Sequence, residues 1–215
     1  EEMAYTLANG LAYVDELRAR GGDVEKFAKR LSFFFYVHMD FFEEIAKFRA
    51  GRRLWARFMK ERYGAQDPKA QHLRFGVVCG GSSLVAPQPY NNVVRVAVET
   101  MAAVFGGAQS IFTCAFDEAF QIPTEFSAEL AVRTQQMIAF ETGIARTVDP
   151  LGGSYFLEQV GMDKASSRSG SGSGFQCPDA WFFRLAKILP LSTIACQPGP
   201  AWAGGRRPAA GRGWW

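Results

Sequence analysis

Little in this sequence can bind a metal or form a cross-link. Two histidines and four cysteines are spread over 215 residues. Cys79, Cys114, Cys177 and Cys196 follow no disulfide or metal-ligand spacing, so free thiols in a reducing cytoplasm are expected, with Cys79 and Cys114 in the core and no metal site. No run of about 18 or more apolar residues is free of charge, which excludes a membrane span. No basic-then-apolar leader with a small-residue cleavage site occurs in the sequence, so no secretory signal is expected. No G-x-G-x-x-G follows an apolar strand, so the dinucleotide fingerprint is absent. Positive charge is also missing where a nucleic-acid surface would need it. The net charge is +3, but residues 163–215 carry seven Lys/Arg and two Asp/Glu. That segment is therefore +5 and residues 1–162 are −2. These absences imply a cytoplasmic protein that binds neither membrane nor nucleic acid.

What is present is apolar bulk. Hydrophobic residues make up 48% of the chain, with 19 Phe, enough for one full-sized domain with a core. The composition changes near Val160. "KASSRSGSGSG" (164–174) has flexible-linker composition. The segment after it holds four of the five Trp and half of the ten Pro, and ends in the low-complexity "GGRRPAAGRGWW". The expected division is a body, 1–162, and a Gly/Ser linker with a basic, Trp-rich, disordered tail, 163–215. Such a tail reads as a frame change or fusion, or as an extension that docks on a partner.

In the body, residues 3–19 read as a helix with Leu7, Leu11, Val14 and Leu17 roughly on one face. "RLSFFFYV" (30–37) is a continuous apolar run, the pattern of a strand buried on both faces. Asp40 and Glu43 form a capping box for a helix reaching about Tyr63, stopped by Gly64. "HLRFGVV" (72–78) is a second strand. A slim Gly80-Gly81-Ser82-Ser83 loop follows, and Pro89 opens a third helix that ends at Gly106-Gly107. "AQSIFTCA" (108–115) is a third strand, and Thr124 caps a helix ending near Gly143. "VDPLGGSYFLE" (148–158) is a turn into one more element. Strict alternation of buried strands and helices means parallel α/β, as a doubly wound sheet or as part of a (β/α)8 barrel. In a barrel the function sits in the loops after the strands: Tyr36–Met39, Cys79–Gln88 and Cys114–Pro123. Small residues in such a loop let a backbone or ligand approach closely.

Longer stretches say more than period does. "RLSFFF", "FRAGRRLWARFMKERYGA", "QPYNNVVRVAVETMAAVFGGAQSIFT", "FDEAFQIPTEFSAELAVRTQQMIAFETGI" and "VDPLGGSYFLE" resemble the methylmalonyl-CoA mutase large-subunit family of adenosylcobalamin-dependent acyl-CoA mutases. The resemblance covers nearly all of residues 2–159. It implies a partial TIM-type barrel, the later βα units of the substrate-binding domain, with CoA threaded along the barrel axis. It implies an isomerase performing a radical 1,2-rearrangement of an acyl-CoA with adenosylcobalamin. The expected partners are a cobalamin-binding domain or small subunit, in a hetero- or homo-oligomer.

The resemblance also assigns residues. Arg30 and Ser32 match positions on the CoA tail, where a guanidinium and a hydroxyl suit phosphate; an Arg that merely starts a strand is the plainer alternative. Gln109 and Glu118 match positions near the adenosyl group, with Glu118 otherwise a solvated loop charge. Gly81 lies where a corrin would cross the barrel edge. Asn91 and Asn92 are expected to cap and hold the helix after the loop rather than to touch ligand. His72 is expected to be structural, and His38, at a strand's end, can face the site. Three positions depart from the family: Gly76 and Val78 replace a His and a Gln that face the corrin, and Cys114 replaces an Asn near the adenosine. The family's catalytic Tyr–His pair and the D-x-H-x-x-G lower-ligand motif do not occur in this sequence, so the chain by itself is expected to be inactive. Three readings follow: a component of a mutase, divergent in acyl group; a catalytically incomplete fragment or pseudo-subunit that keeps CoA or partner binding; or a small α/β interaction domain whose basic tail binds a partner.

Overall fold

In a computed structural model of the protein the described residues are 1–166. The linker and tail expectation for 167–215 lies outside them. The chain starts with helix α1 (Glu2–Ala19), whose Leu7, Leu11 and Val14 are buried. Gly21, in the left-handed region at φ 74°, turns it. A single helical turn, α2 (Val24–Ala28), follows, with the Asp23 carboxylate accepting from the Lys26 N–H. Then comes strand β1 (Phe33–Val37).

Helix α3 (Phe41–Glu61) carries the centre of the core. Asp40 caps it by accepting from the Glu43 N–H at 3.3 Å, which satisfies one orphan donor of the first turn. Ile45, Phe48, Trp55 and Met59 are fully buried. Gly64 ends the segment in the left-handed region. The one-turn α4 (Pro68–Gln71) is capped by Asp67 and leads into β2 (Phe75–Cys79). After a 3-10 turn at Gly81–Ser83, α5 (Pro89–Phe105) starts with proline in its first turn. Strand β3 is short, Ser110–Phe112. Helix α6 (Glu125–Glu141) has a reciprocal capping box between Thr124 and Ser127. Helix α7 (Tyr155–Ser166) closes the described part and packs along α3.

The three strands form one parallel sheet in the order β1-β2-β3. The α/β expectation is met, and the sheet and helices suit part of a barrel. No helix among the described residues is long and apolar enough to cross a membrane.

One face of the sheet is covered and the other is not. Phe33, Phe35, Val37, Phe75, Val77 and Cys79 are buried. Their rings interlock with α3: Phe33 meets Trp55 edge-on at 5.0 Å, and Phe48 stacks on Phe75 at 5.2 Å. Such contacts add about 0.5–1.5 kcal/mol each beyond their buried area. The opposite face of β1 carries Phe34, 70% exposed, and Tyr36, 54% exposed. β1 is therefore buried on one face, not on two. An apolar run shows that a strand is rich in β-formers, but not that anything lies on its second side.

Candidate functional site

The register lines the uncovered face in rows. Phe34, Gly76 and Ser110 are neighbours across the three strands, and Tyr36, Val78 and Phe112 form the next row. The middle strand is the slim one, and the structure shows what uses the space. A Cβ on Gly76 would stand 2.6 Å from Ser110 Oγ and 2.9 Å from Phe34 Cε1. The flanking side chains lean in and fill that gap, so the face is a flat row of Phe34, Tyr36 and Phe112 with the slim strand between them. Gly76 and Val78, expected on the cofactor side, both lie on this face.

Both ends of this face carry polar groups. At the N-terminal end, Arg30 and Ser32 precede β1, and both are exposed. Neither side chain has a hydrogen-bond partner among the described residues. Gln109 is at this end too. Its Oε1 accepts from the Phe75 N–H at 2.7 Å, and its own N–H donates to the Phe75 carbonyl at 3.3 Å. Gln109 thus ties the start of β3 to β2, and it stands apart from Glu118, with which the family pattern grouped it. His72 is exposed, just before β2.

The C-terminal end holds the Gly/Ser loop, His38 and the loop after β3. His38 Nδ1 lies 3.3 Å from Ser83 Oγ and 3.5 Å from Ser82 Oγ. Its ring stacks on Tyr36 at 6.2 Å with 11° between planes. A Cβ at Gly80 would fall on His38 Nδ1 and stand 3.0 Å from the Val37 carbonyl oxygen. Gly80 is therefore slim for His38. At Gly81 a Cβ would meet nothing within 4 Å, so that position opens onto space. Glu118 accepts from the Ala115 N–H at 2.6 Å with Oε1, and its carboxylate also stands against the Cys114 thiol. Asn92 is fully buried and clamps the two loops: Oδ1 accepts from the Val85 N–H, and Nδ2 donates to the Val85 and Phe116 carbonyls. The neighbouring Asn91 is exposed.

Cys114 lines a small cavity between α5 and α6, with Val93, Val96 and Leu130. Its thiol donates to the Cys79 carbonyl at 2.7 Å. Burial, with the Glu118 carboxylate adding to it, pushes Cys114 up to about 12, and burial pushes Cys79 up to about 11. Neither thiol forms an appreciable thiolate at neutral pH.

Two polar features here have no counterpart in the sequence reading. Glu99, from α5, is fully buried, and neither carboxylate oxygen has a hydrogen-bond partner. Burial raises its pKa to about 7; the Ser83 hydroxyl and Gly80 N–H pull the other way without closing to hydrogen-bond geometry. Its sequence signal was a charge on the apolar stripe of α5, at three- and four-residue spacing from Val96 and Ala103. The other feature is the buried Lys47. It donates to the Tyr36 carbonyl at 2.7 Å and to Glu2 at 3.0 Å, and pairs with Glu44 at 2.5 Å. Glu2 also accepts from the Tyr36 N–H at 2.7 Å. Helices α1 and α3 thus hold the strand under the Tyr36–His38 pair.

The arrangement offers an exposed aromatic sheet face, a cation and hydroxyls at one end, and an imidazole, serines and a carboxylate at the other. Comparison with known proteins shows the family. A family profile described as methylmalonyl-CoA mutase matches residues 1–167. The chain belongs to this family. It is 52% identical over 160 residues to the 2-hydroxyisobutanoyl-CoA mutase large subunit of Aquincola tertiaricarbonis, a match covering 74% of this chain and 28% of that protein. It is 50% identical over 165 residues to the methylmalonyl-CoA mutase of Cereibacter sphaeroides, covering 77% and 23%. Against the human mitochondrial methylmalonyl-CoA mutase it is 49% identical over 162 residues, covering 75% and 22%. The chain thus spans about a quarter of the length of these mutase-family relatives.

Proposed function

We propose that residues 1–162 are the later part of the substrate-binding (β/α)8 barrel of an acyl-CoA mutase, an isomerase dependent on adenosylcobalamin. The observation that carries this reading is the uncovered sheet face, polar at both ends and walled by Phe34, Tyr36 and Phe112. An exposed aromatic face of this size is a binding surface rather than an ordinary protein exterior. The relatives' names bring the acyl-CoA class, and the family brings the cofactor. Arg30 and Ser32 bind the CoA phosphates at the N-terminal end. The aromatic face between the two ends takes the pantetheine arm.

At the C-terminal end the open space at Gly81 and the half-buried carboxylate of Glu118 suit adenosylcobalamin, with Glu118 accepting from ribose hydroxyls. When bound, this cofactor supplies homolysis of its cobalt–carbon bond, the source of the radical for a 1,2-rearrangement. Gly76, Val78 and Cys114 replace polar groups of the family, so the hold on the cofactor rests on fewer hydrogen bonds here. That thinning favours a second reading: a catalytically incomplete subunit that keeps CoA or partner binding. In either case the partners are the acyl-CoA and a cobalamin-binding domain or small subunit.

Calorimetric titration of the full chain with CoA and with adenosylcobalamin tests this. CoA should bind wild type and bind Arg30→Ala at least tenfold more weakly, because a charged hydrogen bond to phosphate is lost. Gly81→Leu should lower cobalamin affinity while leaving the unfolding midpoint within a few degrees. CoA binding without cobalamin binding supports the incomplete-subunit reading. Absence of both overturns the function.

A further inference from the structure

Among the described residues, Glu99 is the one carboxylate with both oxygens buried and without a hydrogen-bond partner. It lies beneath the Gly/Ser loop. An anion held dry with no donor closed onto it is strongly disfavoured, so this arrangement suits the neutral acid. Burial lifts its pKa to about 7, so both forms exist near neutral pH.

Groups face Glu99 from every side. Glu44, from α3, opposes its ionisation with a like charge, and Lys47 pairs with Glu44. Cys79, on β2, and Cys114, after β3, both feel the Glu99 charge, and both remain thiols at neutral pH. From the loop come the Gly80 N–H and the Ser83 hydroxyl, the two donors that favour the charged form. The Gly80 N–H is already committed to the Val37 carbonyl at 2.7 Å. The Ser83 hydroxyl is the donor left.

That hydroxyl has one hydrogen and two claimants. On its other side lies His38 Nδ1, 3.3 Å away. Ser82 Oγ, at 3.5 Å and exposed, is the weaker contact to the ring. A hydroxyl donates once and accepts twice. With Glu99 neutral, Ser83 donates to Nδ1, and the neutral imidazole carries its proton on Nε2. With Glu99 ionised, a charge-assisted bond to the carboxylate is about twice as strong as a neutral one. The hydroxyl then turns inward and offers its lone pairs to the ring, which places the ring proton on Nδ1.

We propose that Glu99, Ser83 and His38 form a relay that couples the charge of the buried carboxylate to the tautomer of the imidazole, the Ser83 hydrogen bond reversing as Glu99 loses its proton. Glu99 releases that proton to solvent, Ser83 keeps its own, and His38 exchanges Nε2–H for Nδ1–H through water. His38 is half-buried at the rim of the loop, within reach of solvent. Glu99 is a positioning residue that acts on the ring through Ser83. The relay needs no ligand, so it stands or falls apart from the function proposed above.

The test is nitrogen-15 NMR of the histidine rings in the full chain at pH 8.5, where imidazole is neutral and Glu99 ionised. His72→Gln assigns His38. Wild type should carry the ring proton on Nδ1. Glu99→Gln, which keeps the shape without the charge, should carry it on Nε2. In a Ser83→Ala background, Glu99→Gln should leave the tautomer unchanged. The same tautomer in wild type and Glu99→Gln overturns the relay. So does a difference that survives Ser83→Ala, because the coupling then bypasses the hydroxyl. A second readout does not need Glu99→Gln to fold. Carbon-13 NMR of the glutamate carboxyls should show one midpoint at about 7, and Ser83→Ala should raise it by about one pH unit, the loss of one hydrogen bond to the charged form. A midpoint indifferent to Ser83→Ala overturns the proposal.

Discussion

At the residue scale, adjacent glycines do different work. A side chain at Gly80 collides with His38 and comes within 3.0 Å of the Val37 carbonyl, while one at Gly81 meets nothing. Gly80→Ala should therefore lower stability by about 1–3 kcal/mol, the usual cost of overpacking. Gly81→Ala should change it by less than about 0.5 kcal/mol. Urea unfolding of the two variants checks this; equal losses would mean the loop is merely tight. Glu99 gives a pH prediction. Its folded pKa, about 7, lies above its unfolded value of 4.5, so the native state binds the extra proton between those values. The associated stability is present below about pH 4.5 and lost as pH rises through 7, a swing of at most about 3 kcal/mol. Wild type should lose stability from pH 5 to 8. Glu99→Gln should flatten that slope and be the more stable protein at pH 8. A steep slope surviving in Glu99→Gln would place the titration elsewhere.

At the element scale, the long helices were legible because their signals are local. Asp40, Pro89 and Thr124 sit at or beside the first residues of α3, α5 and α6, and each acts within one turn of itself. The single turns α2 and α4 passed unread, since a helix of four or five residues has no period; their only signals are Asp23 and Asp67, which cap them. The site was legible unevenly for the same reason. Gly81 could be read as an opening from its own loop. The fit of His38 to Gly80 could not, because it depends on how two strands align. The attachment of α7 is likewise a long-range contact. Arg49 on α3 grips Asp149 at 2.5 and 2.7 Å and also pairs with Glu158, holding Asp149 at φ 47°. The carboxylates are nearly half exposed, so Arg49→Met should cost only about 1 kcal/mol globally. Locally it should matter more. Limited proteolysis or hydrogen exchange should show residues 148–158 opening before the sheet does, and an unchanged exchange pattern would mean that the Leu157 packing alone holds α7.

At the scale of the whole molecule, an exposed aromatic face and two sheet edges have to be reconciled with a folded chain. The edges are not equally open. On β1 the Tyr36 backbone is already engaged by Glu2 and Lys47, and buried charge at an edge is a known guard against strand addition. β3 is short, and among the described residues it pairs only on its β2 side. The face has no such protection: Phe34, Tyr36 and Phe112 are all more than half exposed, forming one apolar surface across three strands. Water contact at such a surface costs about 25 cal/mol per Å², so association through it is favoured as concentration rises. The chain should therefore sediment as a concentration-dependent mixture rather than as a monomer. Phe34→Ser with Phe112→Ser should shift it toward monomer without unfolding, because neither side chain belongs to the buried core. If the double variant still associates while β3-edge changes such as Ser110→Pro abolish it, the edge is the contact. A wild-type chain that stays monomeric at every concentration would show that the aromatic face tolerates water, and would remove the argument that it awaits the rest of a barrel or a ligand.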